Sequence, residues 1–368
     1  MGGMRTVLGE AIPSTVMFIM EFCTISLTIM AKTIISRGMS PFVFVVYTNA
    51  LGSILLLLYS CLCYRNQSEQ PLLSFQLLPR VFLLGLIGIT VAQNLAFLGL
   101  SYGSPIVACG MGNLIPAFSF ILAIIIRRKE NDWKSLSSQV KAIGTVISFV
   151  GAASVALYKG PVVKQSPLPS FSLQLIPPPL LIFSSPQDEN WILGCVLLAA
   201  ASLAISVWNI IQVGTVEKYP QVMKIVSLYS LVGTLLSAIL TVIIERDVDA
   251  WKLKLDMELL VIILTGIFGS VIRSSVHLWC MQKKGPLFAS IFKPVGIPIA
   301  SMFGCFLFAD TFHYGSIIGA LACGLGHYTL IWGQIMGYDE AGIKNHKSRS
   351  SPSDDQKTPL LQQEDSQV

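Results

Sequence analysis

Ten stretches of mostly apolar residues divide this chain, and each is about as long as the roughly 20 residues that a helix needs to cross a bilayer. Only 12% of the 368 residues are charged, against about 25% in a soluble domain. A helix satisfies its own backbone hydrogen bonds in lipid. The sequence therefore predicts an all-α integral membrane protein with spans 1 to 10 near residues 12–34, 41–63, 79–100, 104–126, 138–158, 191–213, 223–244, 258–280, 287–309 and 315–335.

Two proline-containing segments, one in each half of the chain, are similar to each other. Residues 99–119 read GLSYGSPIVACGMGNLIPAFS, and residues 284–301 read KGPLFASIFKPVGIPIAS. An offset of 182 positions superposes three residues, and after a gap of seven two more match: Gly103 on Gly285, Pro116 on Pro298, Ser119 on Ser301, Gly144 on Gly319 and Gly151 on Gly326. Because each half has an odd number of spans, the second half enters the membrane from the opposite side. We therefore expect ten transmembrane helices in two inverted five-helix repeats, an arrangement typical of secondary transporters.

The basic residues orient the spans. Of the 25 lysines and arginines, 16 lie on the side of the N-terminus and 7 on the other side, so both termini are expected in the cytosol. Composition divides the chain into five parts: a cytosolic N-terminus (1–11), a first repeat (12–160), a proline-rich non-cytosolic linker (161–190), a second repeat (191–337) and a disordered cytosolic tail (338–368).

Four ionisable candidates for a binding site lie inside the spans, where a charge costs about 3 kcal/mol or more. Glu21 lies near the middle of span 1, Arg273 and His277 share a face of span 8, and Lys293 lies in span 9. Each could bind the substrate, and Glu21 or His277 could carry a proton. The alternative is a structural role, as an ion pair or hydrogen bond between helices or, for Arg273, a place near the interface.

Amides and prolines form a second group of candidates. Gln93, Asn94 and Asn113 lie in spans 3 and 4, and hydrogen bonding between helices is the alternative to substrate binding for each. Pro116 and Pro298 each lack an amide hydrogen and free a backbone carbonyl one turn earlier. Such carbonyls persist at membrane depth only where they face protein or a water-filled cavity. The two prolines are therefore expected to border the transport path.

Motifs of other functional classes are missing from the sequence. There is no nucleotide-binding loop, catalytic triad or HExxH motif, and the histidines are not at metal-ligand spacing. No enzyme activity, metal or cofactor is predicted. A lipid-modifying enzyme would need clustered catalytic residues, and a receptor or scaffold would need larger soluble loops. The expected partners are a small-molecule substrate and the lipid bilayer, without nucleic acid, and a homodimer is left open.

Several runs of residues carry a family resemblance: GITVAQNLAFLGLSYGSPIVACGMGNLIPAFSFILAIIIR at 88–127, RGMSPFVFVVYTNA at 37–50, VGAASVALYKGP at 150–161, AWKLKLDMELL at 250–260 and KKGPLFASIFKPV at 283–295. With them the chain resembles the plant WAT1-related proteins of the drug/metabolite transporter superfamily, which have EamA-type repeats. It departs from their pattern at Gly112 and Lys293, where asparagine is usual, and at Asp310, where glutamate is usual.

The resemblance implies two inverted EamA-like repeats and the transport, often export, of a small organic solute. Amino acids are the first substrate class that it implies, and the auxin indole-3-acetate or another organic anion is the alternative. The plasma membrane and the vacuolar membrane are the locations that it implies. A non-transporting receptor or scaffold is the distant alternative.

Overall fold

The computed structural model describes residues 2–63, 77–126, 135–158, 190–216, 218–219, 222–253, 256–273, 275–276, 279–280, 288, 291–307 and 314–350. Within these residues every regular element is a helix. Eight helices of this part are apolar and long enough to cross a membrane, and they coincide with predicted spans 1 to 7 and 10: Ile12–Ser36, Pro41–Leu62, Leu78–Tyr102, Pro105–Ile125, Leu136–Leu157, Trp191–Val216, Val222–Ile244 and Tyr314–Gly337. The prediction of an all-α, multi-pass membrane protein is confirmed.

Predicted spans 8 and 9 contain shorter helices in the described part of the chain. The apolar helix of span 8 is Met257–Ile272. Span 9 contains a 3-10 turn, Lys293–Val295, followed by the helix Gly296–Leu307. Pro294 and Pro298 lie at this junction. Because neither proline can donate a backbone hydrogen bond, an uninterrupted helix across this window is disfavoured.

The terminal helices extend beyond the predicted spans. The first helix is Gly2–Ser36, so it begins within the segment assigned to the N-terminal region. The last helix is Tyr314–Ser350 and continues into the segment predicted as a tail. The predicted linker at 161–190 lies outside the described residues except for its last position.

Small residues bring spans 5 and 10 into close contact. A Cβ added to Gly144 would lie 2.9 Å from the carbonyl oxygen of Gly326, and one added to Gly151 would lie 2.9 Å from that of Gly319. Close backbone approach of this kind drives helix association in lipid, where the hydrophobic effect does not. The contacts are crossed with respect to the sequence repeat, because Gly144 matches Gly319 in sequence but packs on Gly326.

A second set of glycine contacts has the same crossed form. A Cβ on Gly85 in span 3 would lie 2.7 Å from the backbone nitrogen of Gly233 in span 7. A Cβ on Gly52 in span 2 would lie 3.6 Å from the carbonyl oxygen of Gly266 in span 8. Gly233 and Gly266 follow Gly52 and Gly85, respectively, by 181 positions. These matches lie outside the segments in which the sequence repeat was recognised.

Spans 3 and 8 each contain a π-helical segment at the same place in the repeat. The segments are Leu86–Val91 and Phe268–Ile272, and the 182-residue offset superposes their first residues. Such segments often occur at functional sites. The first lies just before Gln93 and the second directly before Arg273, which are both predicted site residues.

Candidate functional site

Span 4 is broken in its middle. The helix Pro105–Gly112 ends there, and the helix Ile115–Ile126 begins after a two-residue turn. Pro116 cannot donate to the carbonyl four residues earlier, which explains the opening of the helix at this point. The side-chain amide of Asn113 is buried and donates to the carbonyl oxygen of Cys109 at 3.1 Å. Asn113 therefore stabilises the break from within span 4.

Span 6 contributes two hydroxyl groups to the same break. The Ser202 hydroxyl donates to the carbonyl oxygen of Met111 at 2.8 Å, and the Ser206 hydroxyl donates to that of Ile115 at 2.8 Å. Both serines are buried. Backbone groups of a broken membrane helix need partners inside the protein, and these serines supply them for the carbonyls on either side of the turn.

A buried histidine also contacts this break. His327 of span 10 is 2% exposed. Its Nδ1 lies 3.3 Å from the carbonyl oxygen of Asn113. Spans 6 and 10 thus both contact the turn in span 4 through polar side chains.

The second break lies in span 9, at the position that the sequence repeat assigns to it. The 3-10 turn Lys293–Val295 precedes the helix Gly296–Leu307, and Pro298 is the third residue of that helix. Pro294 is buried, whereas Pro298 is exposed. Both predicted prolines therefore lie at helix breaks, as expected.

An ion pair connects the break in span 9 to the middle of span 1. Lys293 Nζ lies 3.0 Å from Glu21 Oε1. The Glu21 side chain is 5% exposed and the Lys293 side chain is 30% exposed. Two charges at this depth stabilise each other, whereas either one alone would be strongly unfavourable. The glutamate of the pair is therefore buried, whereas the lysine remains partly accessible.

Spans 1, 4 and 9 meet beside this ion pair. A Cβ added to Gly296 would lie 3.1 Å from Cδ1 of Ile25 in span 1 and 3.8 Å from the sulfur of Cys109 in span 4. Ile25 also shares an apolar cluster with Ile106 of span 4 and Ile297 of span 9. The ion pair therefore lies beside a packed apolar junction, in which spans 1 and 4 of the first half contact the helix break in span 9 of the second half.

The predicted amides of span 3 form a separate polar network. Asn49 Nδ2 donates to Gln93 Oε1 at 2.6 Å, and Asn94 Nδ2 donates to Ser237 Oγ at 3.0 Å. These bonds link span 3 to spans 2 and 7. Hydrogen bonding between helices, the structural alternative, accounts for both amides in part. The buried Oδ1 of Asn94 has no hydrogen-bond partner among the described residues.

No hydrogen bond or ion pair among the described residues joins Arg273 to the other predicted residues. It directly follows the π-helical segment of span 8 and is half-buried. Within the part of the chain that the structure describes, its side chain has no hydrogen-bond or ion-pair partner. His277, which was expected on the same face, lies outside the described residues.

Several polar residues of this region were not among the predicted site residues: Ser202, Ser206, Ser237 and His327. Ser202 and Ser206 are four residues apart and therefore share a helix face, which is a signal in the sequence. Their partners are backbone carbonyls of a distant span, however, and no pattern of side chains reports those.

Comparison with known proteins agrees with this architecture. Residues 13–157 match the model of the EamA-like transporter family. Two WAT1-related proteins of Arabidopsis thaliana are each 48% identical to the chain, over 98% of this chain and 98% of theirs. A third WAT1-related protein of that plant is 36% identical over 96% of both chains.

One solved crystal structure supports the fold alone. It covers 86% of this chain and 97% of its own, with a TM-score of 0.50 and 15% sequence identity. Full-length identity of nearly one half to two relatives is the stronger finding. The chain belongs to the plant WAT1-related proteins of the EamA-like transporter family, and it is a membrane transporter rather than an enzyme.

Proposed function

We propose that this protein is a secondary transporter that moves a small organic solute by alternating access between two inverted five-helix repeats, residues 12–160 and 191–337. Amino acids are the first candidate substrates, and indole-3-acetate or another organic anion is the alternative. The solute binds between the repeats, beside the two helix breaks. The two repeats rock around this site and open it to one side of the membrane at a time.

The crossed glycine contacts support the inverted repeats. Where a two-fold axis relates two halves, residue i of one half meets residue j of the other, and j of the first meets i of the second. Gly144 and Gly151 in span 5 meet Gly326 and Gly319 in span 10 in this manner. The contacts between spans 3 and 7 and between spans 2 and 8 are related in the same way.

The observation that carries the proposal is the ion pair between Glu21 and Lys293. It joins one predicted repeat to the other at the middle of span 1. Charges at this depth are rare and usually belong to a transport path. Broken helices are also the usual source of binding groups in transporters, because their ends expose backbone donors and acceptors.

Other predicted residues complete the proposed binding region. Arg273, which has no partner among the described residues, is available for an anionic group. Gln93 and Asn94 lie on span 3, and His277 is retained from the sequence prediction. We expect the protein in the plasma membrane or the vacuolar membrane. Both termini are expected in the cytosol, because basic residues are in excess on that side.

Counterflow in proteoliposomes tests the proposal. Purified full-length protein is reconstituted, and the vesicles are loaded with unlabelled amino acids or with unlabelled indole-3-acetate. Entry of the corresponding labelled solute is then followed. We expect accumulation with one of the two loads, because exchange on a carrier requires a shared binding site on both faces.

The Arg273→Ala variant is the matched test of the binding region. We expect its uptake to fall relative to the wild-type protein reconstituted at the same density. Unchanged uptake of every accepted solute would remove Arg273 from the site. Absence of counterflow with either load would exclude both proposed substrate classes.

A further inference from the structure

The contact between Glu21 and Lys293 has an uncharged counterpart in the other half of the protein. Glu21 precedes Ser202 by 181 positions, and Met111 precedes Lys293 by 182. The ion pair of spans 1 and 9 and the hydrogen bond of spans 6 and 4 are therefore the same repeat contact, made twice. One is a charge pair at 3.0 Å, and the other is a neutral hydrogen bond at 2.8 Å.

At the next helical turn, the contact between spans 6 and 4 is polar and the equivalent contact between spans 1 and 9 is apolar. The Ser206 hydroxyl donates to the carbonyl oxygen of Ile115. The repeat-equivalent residues are Ile25 and Ile297, which pack in one apolar cluster. Helix packing alone can thus be satisfied at these positions without any charge. The charge pair is an addition on one side of the proposed path, and it needs a reason beyond packing.

Lys293 has unused capacity to bind an anion. Its ammonium carries three donor hydrogens, and Glu21 is the one partner that its side chain has among the described residues. Its side chain is the accessible member of the pair, at 30% exposure against 5% for Glu21. A solute that enters the site therefore reaches the ammonium first. A carboxylate is the group that can replace Glu21 there with bonds of similar strength.

We propose that this ion pair recognises the carboxylate of the transported solute by exchange of partners. The solute carboxylate takes the place of Glu21 on Lys293, and the released Glu21 binds the ammonium group of a solute that has one. No covalent bond or proton is transferred in this exchange. The inference rests on the transport function proposed above and narrows its substrate class: a carboxylate is required, and an ammonium group is optional.

Three indole compounds that differ in their charged groups provide the test. Tryptophan carries a carboxylate and an ammonium group, indole-3-acetate carries the carboxylate alone, and tryptamine carries the ammonium group alone. Each is used in counterflow with full-length protein and as an additive in thermal unfolding of the protein in detergent. We expect exchange and stabilisation with compounds that carry a carboxylate and neither effect with tryptamine.

Neutral variants of the pair separate binding from structure. Lys293→Gln should raise the half-saturating concentration of every accepted carboxylate by about 10- to 100-fold, the range for one charge-assisted hydrogen bond. Glu21→Gln should weaken tryptophan and leave indole-3-acetate unchanged or tighter, because the lysine is then free. A residue that serves structure alone would not produce opposite effects on two solutes. Lys32→Gln is the control, since Lys32 of span 1 donates to the Ser101 carbonyl at 2.7 Å and is not paired with Glu21.

Four results would overturn the inference. They are exchange of tryptamine as rapid as that of the two carboxylates, an unchanged half-saturating concentration in Lys293→Gln, counterflow of an uncharged solute, and a folded wild-type protein that none of the twenty amino acids or a panel of small organic acids stabilises. If Lys293→Gln fails to fold, the double variant Lys293→Gln with Glu21→Gln is measured in its place, because it leaves no unpaired charge. Counterflow of an uncharged solute would refute the inference and retain the transporter. Stabilisation by carboxylates without counterflow of any solute would support carboxylate binding at this ion pair and refute the transport function.

Discussion

Substituting alanine for Gly151 tests the close contact between spans 5 and 10. A Cβ at this position would lie 2.6 Å from the backbone nitrogen of Cys323 and 2.9 Å from the carbonyl oxygen of Gly319. Both are backbone atoms, so a change of side-chain rotamer cannot relieve the overlap. Normal carbon contacts lie at about 3.5 to 4.0 Å, and the two helices must therefore separate locally by about 1 Å.

The expected loss of stability follows from that separation. A gap of about 1 Å removes roughly a quarter to a half of the dispersion energy of each contact, and overpacked sites typically lose about 1–3 kcal/mol or somewhat more. Alanine also stabilises a helix by about 1 kcal/mol relative to glycine, which offsets part of this loss. We expect Gly151→Ala to lower the free energy of unfolding by up to about 2 kcal/mol.

Gly214→Ala in span 6 is the matched control. Among the described residues, no atom beyond its own helix backbone lies within 4 Å of the position that its Cβ would occupy, so the gain in helix propensity of about 1 kcal/mol is unopposed there. Thermal unfolding of both variants, purified in the same detergent, should give midpoints on opposite sides of the wild-type value. A Gly151→Ala protein as stable as Gly214→Ala would refute the close packing of spans 5 and 10.

Three further outcomes are expected. Ser206→Ala, which leaves the carbonyl of Ile115 without its hydroxyl donor, should lower stability by about 0.5–1.5 kcal/mol in thermal unfolding. Ser206→Cys should lower stability by less than Ser206→Ala does. A Ser206→Ala protein as stable as the wild type would contradict the hydrogen bond. In a double-mutant cycle, Glu21→Gln and Lys293→Gln should each lower the free energy of unfolding by about 1–3 kcal/mol, a range that is discounted for the partial exposure of the lysine. The double variant should lose less stability than the sum of the two single losses. Strict additivity would exclude the ion pair. A Cβ at Gly88 would overlap the indole of Trp208, so Gly88→Ala should shift tryptophan emission. Gly269→Ala should not, because no described atom beyond its own helix backbone lies within 4 Å of its Cβ.

The class of protein could be predicted from the sequence because the lipid bilayer places the same requirement on every span. Each span must be long and apolar to cross it, whatever the rest of the chain does. Eight predicted spans were therefore confirmed as helices of sufficient length within the described residues. The family followed from residue runs such as 88–127, and relatives with 48% identity confirm it.

The helix breaks were predictable in position for a local reason. Pro116 and Pro298 lack an amide hydrogen wherever they occur, and the loss acts on their own helix. Their roles in binding, like those of Gln93, Asn94 and Arg273, stay predictions. His277 lies outside the described residues.

Partners across the protein are what the sequence could not assign. Glu21 and Lys293 were both singled out as charges inside the spans, but the sequence did not pair them with each other. The tertiary structure decided the pairing, because it brings the break of span 9 against span 1.

The serines of span 6 are the clearest case of the same limit. The spacing of Ser202 and Ser206 indicates a shared helix face but not what that face contacts. The partner of Ser202 is known only because the structure places a carbonyl of the broken span 4 at 2.8 Å from its hydroxyl. The sequence alone determined that this is an all-α, multi-pass membrane protein and that prolines interrupt predicted spans 4 and 9, since both depend on neighbouring residues and the solvent. Only the tertiary structure decided which polar groups meet there, since contacts between distant spans depend on how all the helices pack together.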